Sequence, residues 1–107
     1  MAGFNDREKG FENKFKHDEE MRFKAMARRN KLLGLWAAEL MGIEGEAANV
    51  YALEVVKADF EEAGDDDVLR KVLGDLESKG VETSTHIVRK HMDDLMHTAI
   101  AQVSSEG

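Results

Sequence analysis

The stretch Phe23–Met41, FKAMARRNKLLGLWAAELM, constrains the chain more than any other. It carries the only Trp and a basic collar directly upstream of an apolar half. Met26, Leu33, Trp36 and Leu40 recur at the 3.6-residue period, with Leu32 and Ala37 beside them, which predicts an amphipathic helix. Proline is absent throughout, so nothing forbids long helices. The segments downstream read as helices able to cover this stripe, and the segment upstream reads as a charged extension of it.

Residues 1–20 are polar, with Phe4, Phe11 and Phe15 as the large apolar residues beyond Met1. Spacings of seven and four place the three phenylalanines on one helical face. Continued at about 100° per residue, that face reaches Met26, Leu33, Trp36 and Leu40. The pattern permits one helix from Asn5 to Met41, with Asn5 as cap and Glu8 completing a weak capping box. Asp18 and Arg22 interrupt the apolar face, and Gly10 costs about 1 kcal/mol relative to alanine. Three phenylalanines among so many charges cannot order the segment alone. The expectation is a weakly ordered arm over residues 1–20 that becomes helical on meeting a partner, attached to a helical body over residues 21–107.

In the body, Gly42-Ile43-Glu44-Gly45 supplies helix stop signals. A second helix is expected from Glu46 to Glu61, with Val50, Tyr51, Val55 and Ala58 on its apolar face and Leu53, Val56 and Phe60 broadening it. Asp65-Asp66-Asp67 opens a third helix carrying Leu69, Val72, Leu73 and Leu76, and Gly80 ends it. Ser84 is the expected cap of a fourth, whose stripe is Ile87, Val88, His91, Leu95, Ala99 and Val103. Ser104 to Gly107 should fray. Four amphipathic helices with short connections predict an all-α fold, a four-helix bundle with an arm.

Charge and composition narrow the function classes. Residues 1–31 hold nine Lys/Arg against six acids, which leaves −10 on residues 32–107 of a chain whose net charge is −7. That balance argues against nucleic-acid binding. There is no Cys, hence no disulfide framework and no thiolate metal site. No apolar run approaches membrane-spanning length, and Asp6, Glu8 and Glu12 stand where a signal peptide needs apolar residues. The expected setting is cytoplasmic, with no direct membrane insertion and a monomer when free.

No constellation supports catalysis. Asp65-Asp66-Asp67 lacks the spaced ligands of a calcium loop and reads as complementing a helix dipole. His86, His91 and His97 miss the i, i+4 spacing of a helical metal pair. His17, beside Asp18, Glu19 and Glu20, is read as solvated. GIEGEA is not a phosphate loop, and the serines stand at helix ends or in the tail. The expectation is a non-enzyme with no metal and no obligate cofactor. Two sets remain. Arg28, Arg29 and Lys31 near Trp36 read either as a solvated basic face or as an anion site for an acidic groove or nucleotide phosphates. Phe4, Phe11 and Phe15 read as anchors of a helix that enters a partner's groove, with folding back onto the bundle as the alternative.

The stretch FNDREKGFENKFKHDEEMRFKAMARRNKLLGLWAAELMG, together with VVKADFEEAGDDDVLRKVL, resembles the zeta subunit family of small inhibitors of bacterial F-type ATP synthase. The similarity covers nearly the whole chain. The resemblance implies a four-helix bundle with an inhibitory segment that enters a catalytic interface of the ATPase head, formed by alpha and beta subunits, close to the gamma rotor shaft. By matching positions that segment is about Ala2 to Asp18. Phe4, Phe11 and Phe15 would anchor it, with Asp6, Arg7, Lys9, Lys14 and Lys16 among its partner contacts. Weak ADP or ATP binding, without potent inhibition, is the alternative function that the resemblance leaves open, with Arg28, Arg29, Lys31 and Trp36 as its candidate site.

Overall fold

Four helices follow one another in the computed structural model: α1 (Ala2–Leu40), α2 (Glu46–Ala58), α3 (Asp66–Ser78) and α4 (Thr85–Glu106). Residues 19–59 and 65–106 are described in full, and residues 2–18 by their helical backbone alone. Among the described residues there is no strand, and the fold is an all-α four-helix bundle. The expected weak order of the arm falls outside the fully described residues, as does the place of Phe60.

The helix ends follow from local chemistry. Gly42 and Gly80 both take φ +75°, the left-handed region where a side chain would be strained. At the first, the Ile43 N–H donates to the Ala38 carbonyl (2.8 Å) and the Gly42 N–H to Glu39 (3.1 Å). At the second, Val81 N–H donates to Leu76 (3.0 Å) and Gly80 N–H to Glu77 (3.0 Å). Both are Schellman closures, and Ile43 and Val81 pack back on the core as that motif requires. The Ser84 hydroxyl caps α4 by accepting the Ile87 N–H at 3.3 Å.

α1 is the axis of the bundle. It packs against α2 on one side and α4 on the other, while α3 closes the end between them. Both flanking helices run antiparallel to it. Gly34 meets Ala52 and Val55 of α2, and on the other side Trp36 stands by His91 and Arg28 by Gln102 of α4. The main core joins Leu33, Ala37 and Ala38 to Tyr51, Val55, Val68, Leu69, Val72, Leu76, Val88 and Met92. A second cluster joins Ala25 to Ala99 and Val103, with Met21 and Met96 packed on it.

The buried faces differ in part from the periodicity. On α1 the most buried positions are Ala25, Arg29, Asn30, Leu33, Ala37 and Ala38, whereas Leu40 is 46 % exposed. A helix clasped from two sides buries small residues where neighbouring backbones come close, and the single widest apolar stripe does not mark those positions. On α2, Tyr51, Ala52 and Val55 face inward, and Val50 and Leu53 are turned outward with Lys57. α2 closes at Ala58, short of the expected Glu61. On α4, Met92 is buried while Ile87 is largely exposed, because the neighbours of α4 lie on the Val88–Met92–Ala99–Val103 side. The helix continues to Glu106, past the expected fraying point at Ser104.

Candidate partner-binding site

The helical period distributes the basic collar of α1 to three different neighbours. Successive residues are turned by about 100°, so adjacent arginines cannot face the same element. Arg28 turns to α4, where its guanidinium donates to Gln102 Oε1 at 2.9 Å and pairs with the Glu106 carboxylate at 2.7 Å. Arg29 turns into the bundle toward the start of α3. Its side chain is 3 % exposed, and it donates to Asp65 Oδ1 at 2.8 Å and through Nε to Asn30 Oδ1 at 3.0 Å. Lys31 turns to the α1–α2 surface and is exposed. Trp36 stacks on His91 with ring centroids 4.1 Å apart and planes at 25°. Arg28 and Lys31 share the wall of one concavity, but Arg29 and Trp36 do not line it, so the four do not converge on one pocket, and the two arginines already hold carboxylate partners.

The three consecutive aspartates have partners that helix-dipole reasoning did not supply. Asp65 takes Arg29, Asp66 takes Arg89 of α4 at 3.1 Å, and Asp67 takes Arg70 within α3. Together they fasten the start of α3 to α1 and α4. The Arg29 hydrogen bond holds the Asp65 carboxyl below its ordinary range, against the opposing effect of burial. Nothing local signals this pairing, because Arg29 and Asp65 lie 36 positions apart.

A second polar junction ties α2 to α3. The Tyr51 hydroxyl donates to Asp75 Oδ2 at 2.8 Å, and Lys71 Nζ bonds the same oxygen at 3.1 Å while lying 5.3 Å from the Tyr51 ring centroid. Burial first, and then the Asp75 hydrogen bond, push the Tyr51 phenol well above its usual range. These groups are structural: they neutralise one another and point to no ligand. Among the described residues no three carboxylates or histidines are grouped to hold a metal ion.

The partner contacts expected of the arm are a separate set. Phe4, Asp6, Arg7, Lys9, Phe11, Lys14, Phe15 and Lys16 lie outside the described side chains. Of the described residues that follow them on the same helix, Glu19 and Glu20 are exposed and Met21 packs on the Ala25–Ala99–Val103 cluster.

The chain matches, over residues 1–102, the family described as ATPase inhibitor subunit zeta. It belongs to that family. The family is a class of inhibitor subunits, regulatory proteins rather than enzymes. The match begins at residue 1, so the zeta pattern takes in the arm as well as the bundle. A solved chain described as a solution NMR structure is 57 % identical, with a TM-score of 0.72, and the alignment covers 81 % of this zeta-family chain and 99 % of the other. A comparison with curated proteins finds no match. Among the described residues no helix is long and apolar enough to cross a membrane.

Proposed function

We propose that this zeta-family chain inhibits ATP hydrolysis by the catalytic head of an F-type ATP synthase, inserting the segment from Ala2 to Asp18 near the rotor. The observation that carries the reading is the register of α1 against α4. Ala25 packs on Val103, and Arg28 pairs with Glu106 near the end of α4, so the body grips α1 from Met21 onward. The arm leaves the bundle as the continuation of its central helix, and the family match includes it.

The physics of such an inhibitor needs no catalytic residue. A plug blocks rotation by stabilising one conformation of a cleft over the others. Phe4, Phe11 and Phe15 supply apolar anchors on one face, while Arg7, Lys9, Lys14 and Lys16 pair with acids of the alpha, beta and gamma subunits. Ordering the arm on binding lowers affinity per unit area but allows a slender segment to enter where a folded domain cannot. The site of action is the cytoplasmic side of the membrane-bound enzyme. The double variant Phe11→Ala, Phe15→Ala should raise the concentration for half-inhibition of ATP hydrolysis by about tenfold or more, as expected for truncating two buried anchors. Unchanged inhibition would remove the phenylalanines from the mechanism.

A further inference from the structure

The body carries a docking surface of its own. Two adjoining concavities of about 330 and 440 Å³ run along α1 and α2, the first also bounded by Val103 and Glu106 at the end of α4, and they share Lys31 and Val56 in their walls. The first begins at Phe23 and the second ends at Val50 and Leu53. Phe23 is 60 % exposed, and Val50 and Leu53 are each 53 % exposed. Val50, Leu53 and Val56 are spaced by three along α2, so apolar groups line a furrow along the antiparallel helices α1 and α2, bounded at the Phe23 end by α4. Such a furrow matches the apolar face of a third helix.

The charge around the furrow specifies what that helix carries. Residues 32–107 bear −10, yet the furrow is edged by Lys24 and Lys31, which make no ion pair among the described residues. Glu106, at one end, is neutralised by Arg28, and Glu46 is the acid at the other. A cationic edge attracts acidic groups on a partner, whereas a second copy docking through the same face would set Lys24 and Lys31 against their own equivalents. We propose that the Phe23–Leu53 furrow docks an amphipathic helix of the ATPase head whose apolar face is flanked by Asp or Glu. This inference rests on the inhibitory reading and extends it: the body is held by one contact while the arm acts through another. The furrow opens at Phe23, just below the root of the arm, so a single enzyme surface can engage both in sequence. Tethering then raises the effective concentration of the arm at its cleft.

The test uses the full chain and three variants: Lys31→Glu, Leu53→Asp and, on the exposed surface of α3, Glu77→Lys. Capture by the immobilised ATPase head and half-inhibitory concentration are measured together, with thermal melts to show that each variant folds. Lys31→Glu and Leu53→Asp should each weaken capture and inhibition about tenfold, and Glu77→Lys should leave both unchanged. Rising salt should weaken capture of the unsubstituted chain more than that of Lys31→Glu. Equal capture of all three variants, with inhibition intact, would overturn the furrow and leave the inhibitory reading standing. Capture without inhibition, lost in the furrow variants, would overturn the inhibitory reading and support the furrow. A concentration-dependent dimer abolished by Leu53→Asp would make a second copy the occupant and overturn the assignment to the ATPase.

Discussion

Gly34 of α1 lies against the backbone of Ala52 in α2, so close that a Cβ placed on it would sit 2.6 Å from the Ala52 Cα. It would also come within 3.2 Å of Ala52 Cβ and Val55 Cγ2. The absent side chain is what allows the two helices to approach, and one-sided helix propensity would give the wrong sign for its replacement. Gly34→Ala should destabilise the bundle by about 2 kcal/mol, overpacking outweighing the gain of about 1 kcal/mol from propensity. Gly74, within α3, meets nothing within 4 Å at the same test position, so Gly74→Ala should stabilise by about 0.5–1 kcal/mol. Urea unfolding of the two variants checks both signs.

The Arg29–Asp65 pair places a guanidinium that is 3 % exposed against a carboxylate that is 40 % exposed. Removing the acid strands a buried charge. Asp65→Ala should therefore cost about 2–3 kcal/mol near neutral pH, below the cost of breaking a fully buried pair because water reaches Asp65.

The same pair sets an acid dependence of stability. The carboxyl of Asp65 is held below its ordinary value of 3.8 in the folded chain, chiefly by the Arg29 hydrogen bond. The unfolded chain thus binds the proton first, and the contribution is complete above about pH 4 and lost as pH falls through the folded value. Stability measured from pH 5 down to pH 2 should fall less steeply in Asp65→Asn than in the unsubstituted chain. Parallel curves would show that Asp65 has no part in the acid transition.

Trp36 and His91, stacked at 4.1 Å, give the α1–α4 interface a spectroscopic reporter. The imidazole lies on one face of the indole and keeps water from it, so loss of that ring changes the surroundings that set the emission. The emission maximum of this single tryptophan should be the same in His97→Gln, whose side chain is exposed, as in the unsubstituted chain. It should shift in His91→Leu. An unchanged maximum in His91→Leu would show that the stacked ring does not set the surroundings of the indole.

Features set by neighbours in sequence were legible from the residues. The glycine stops at Gly42 and Gly80, the Ser84 cap and the number of helices all depend on a few adjacent positions. Burial was less legible. Periodicity located an apolar face on α1, but contact from two sides decided which residues vanished, and they include Ala25, Ala38, Asn30 and Arg29. Val50 and Leu53 look like core residues and stand outside it. Arg28, Arg29 and Lys31 look like one basic cluster in sequence because they are adjacent. In space Arg28 and Lys31 edge one concavity while Arg29 turns inside, and the acid that claims Arg29 comes from the far side of α2. The stacking of Trp36 on His91 was nearer to legible, since each lies on the apolar stripe of its helix. The arm reads clearly as a pattern of phenylalanines and lysines, and its action is a question of chemistry with a partner.

That action is tested most directly by ATP hydrolysis in an uncoupled ATP synthase head, with the full chain compared against a version lacking residues 1–18. The deletion ends before Met21, the first of the described residues seen packed on the body, so the bundle should remain folded. The full chain should inhibit and the shortened one should not, or should do so at least about a hundredfold more weakly, the loss expected when a segment carrying several buried anchors is removed. Equal inhibition by both would place the active surface on the body and contradict the assignment of the arm.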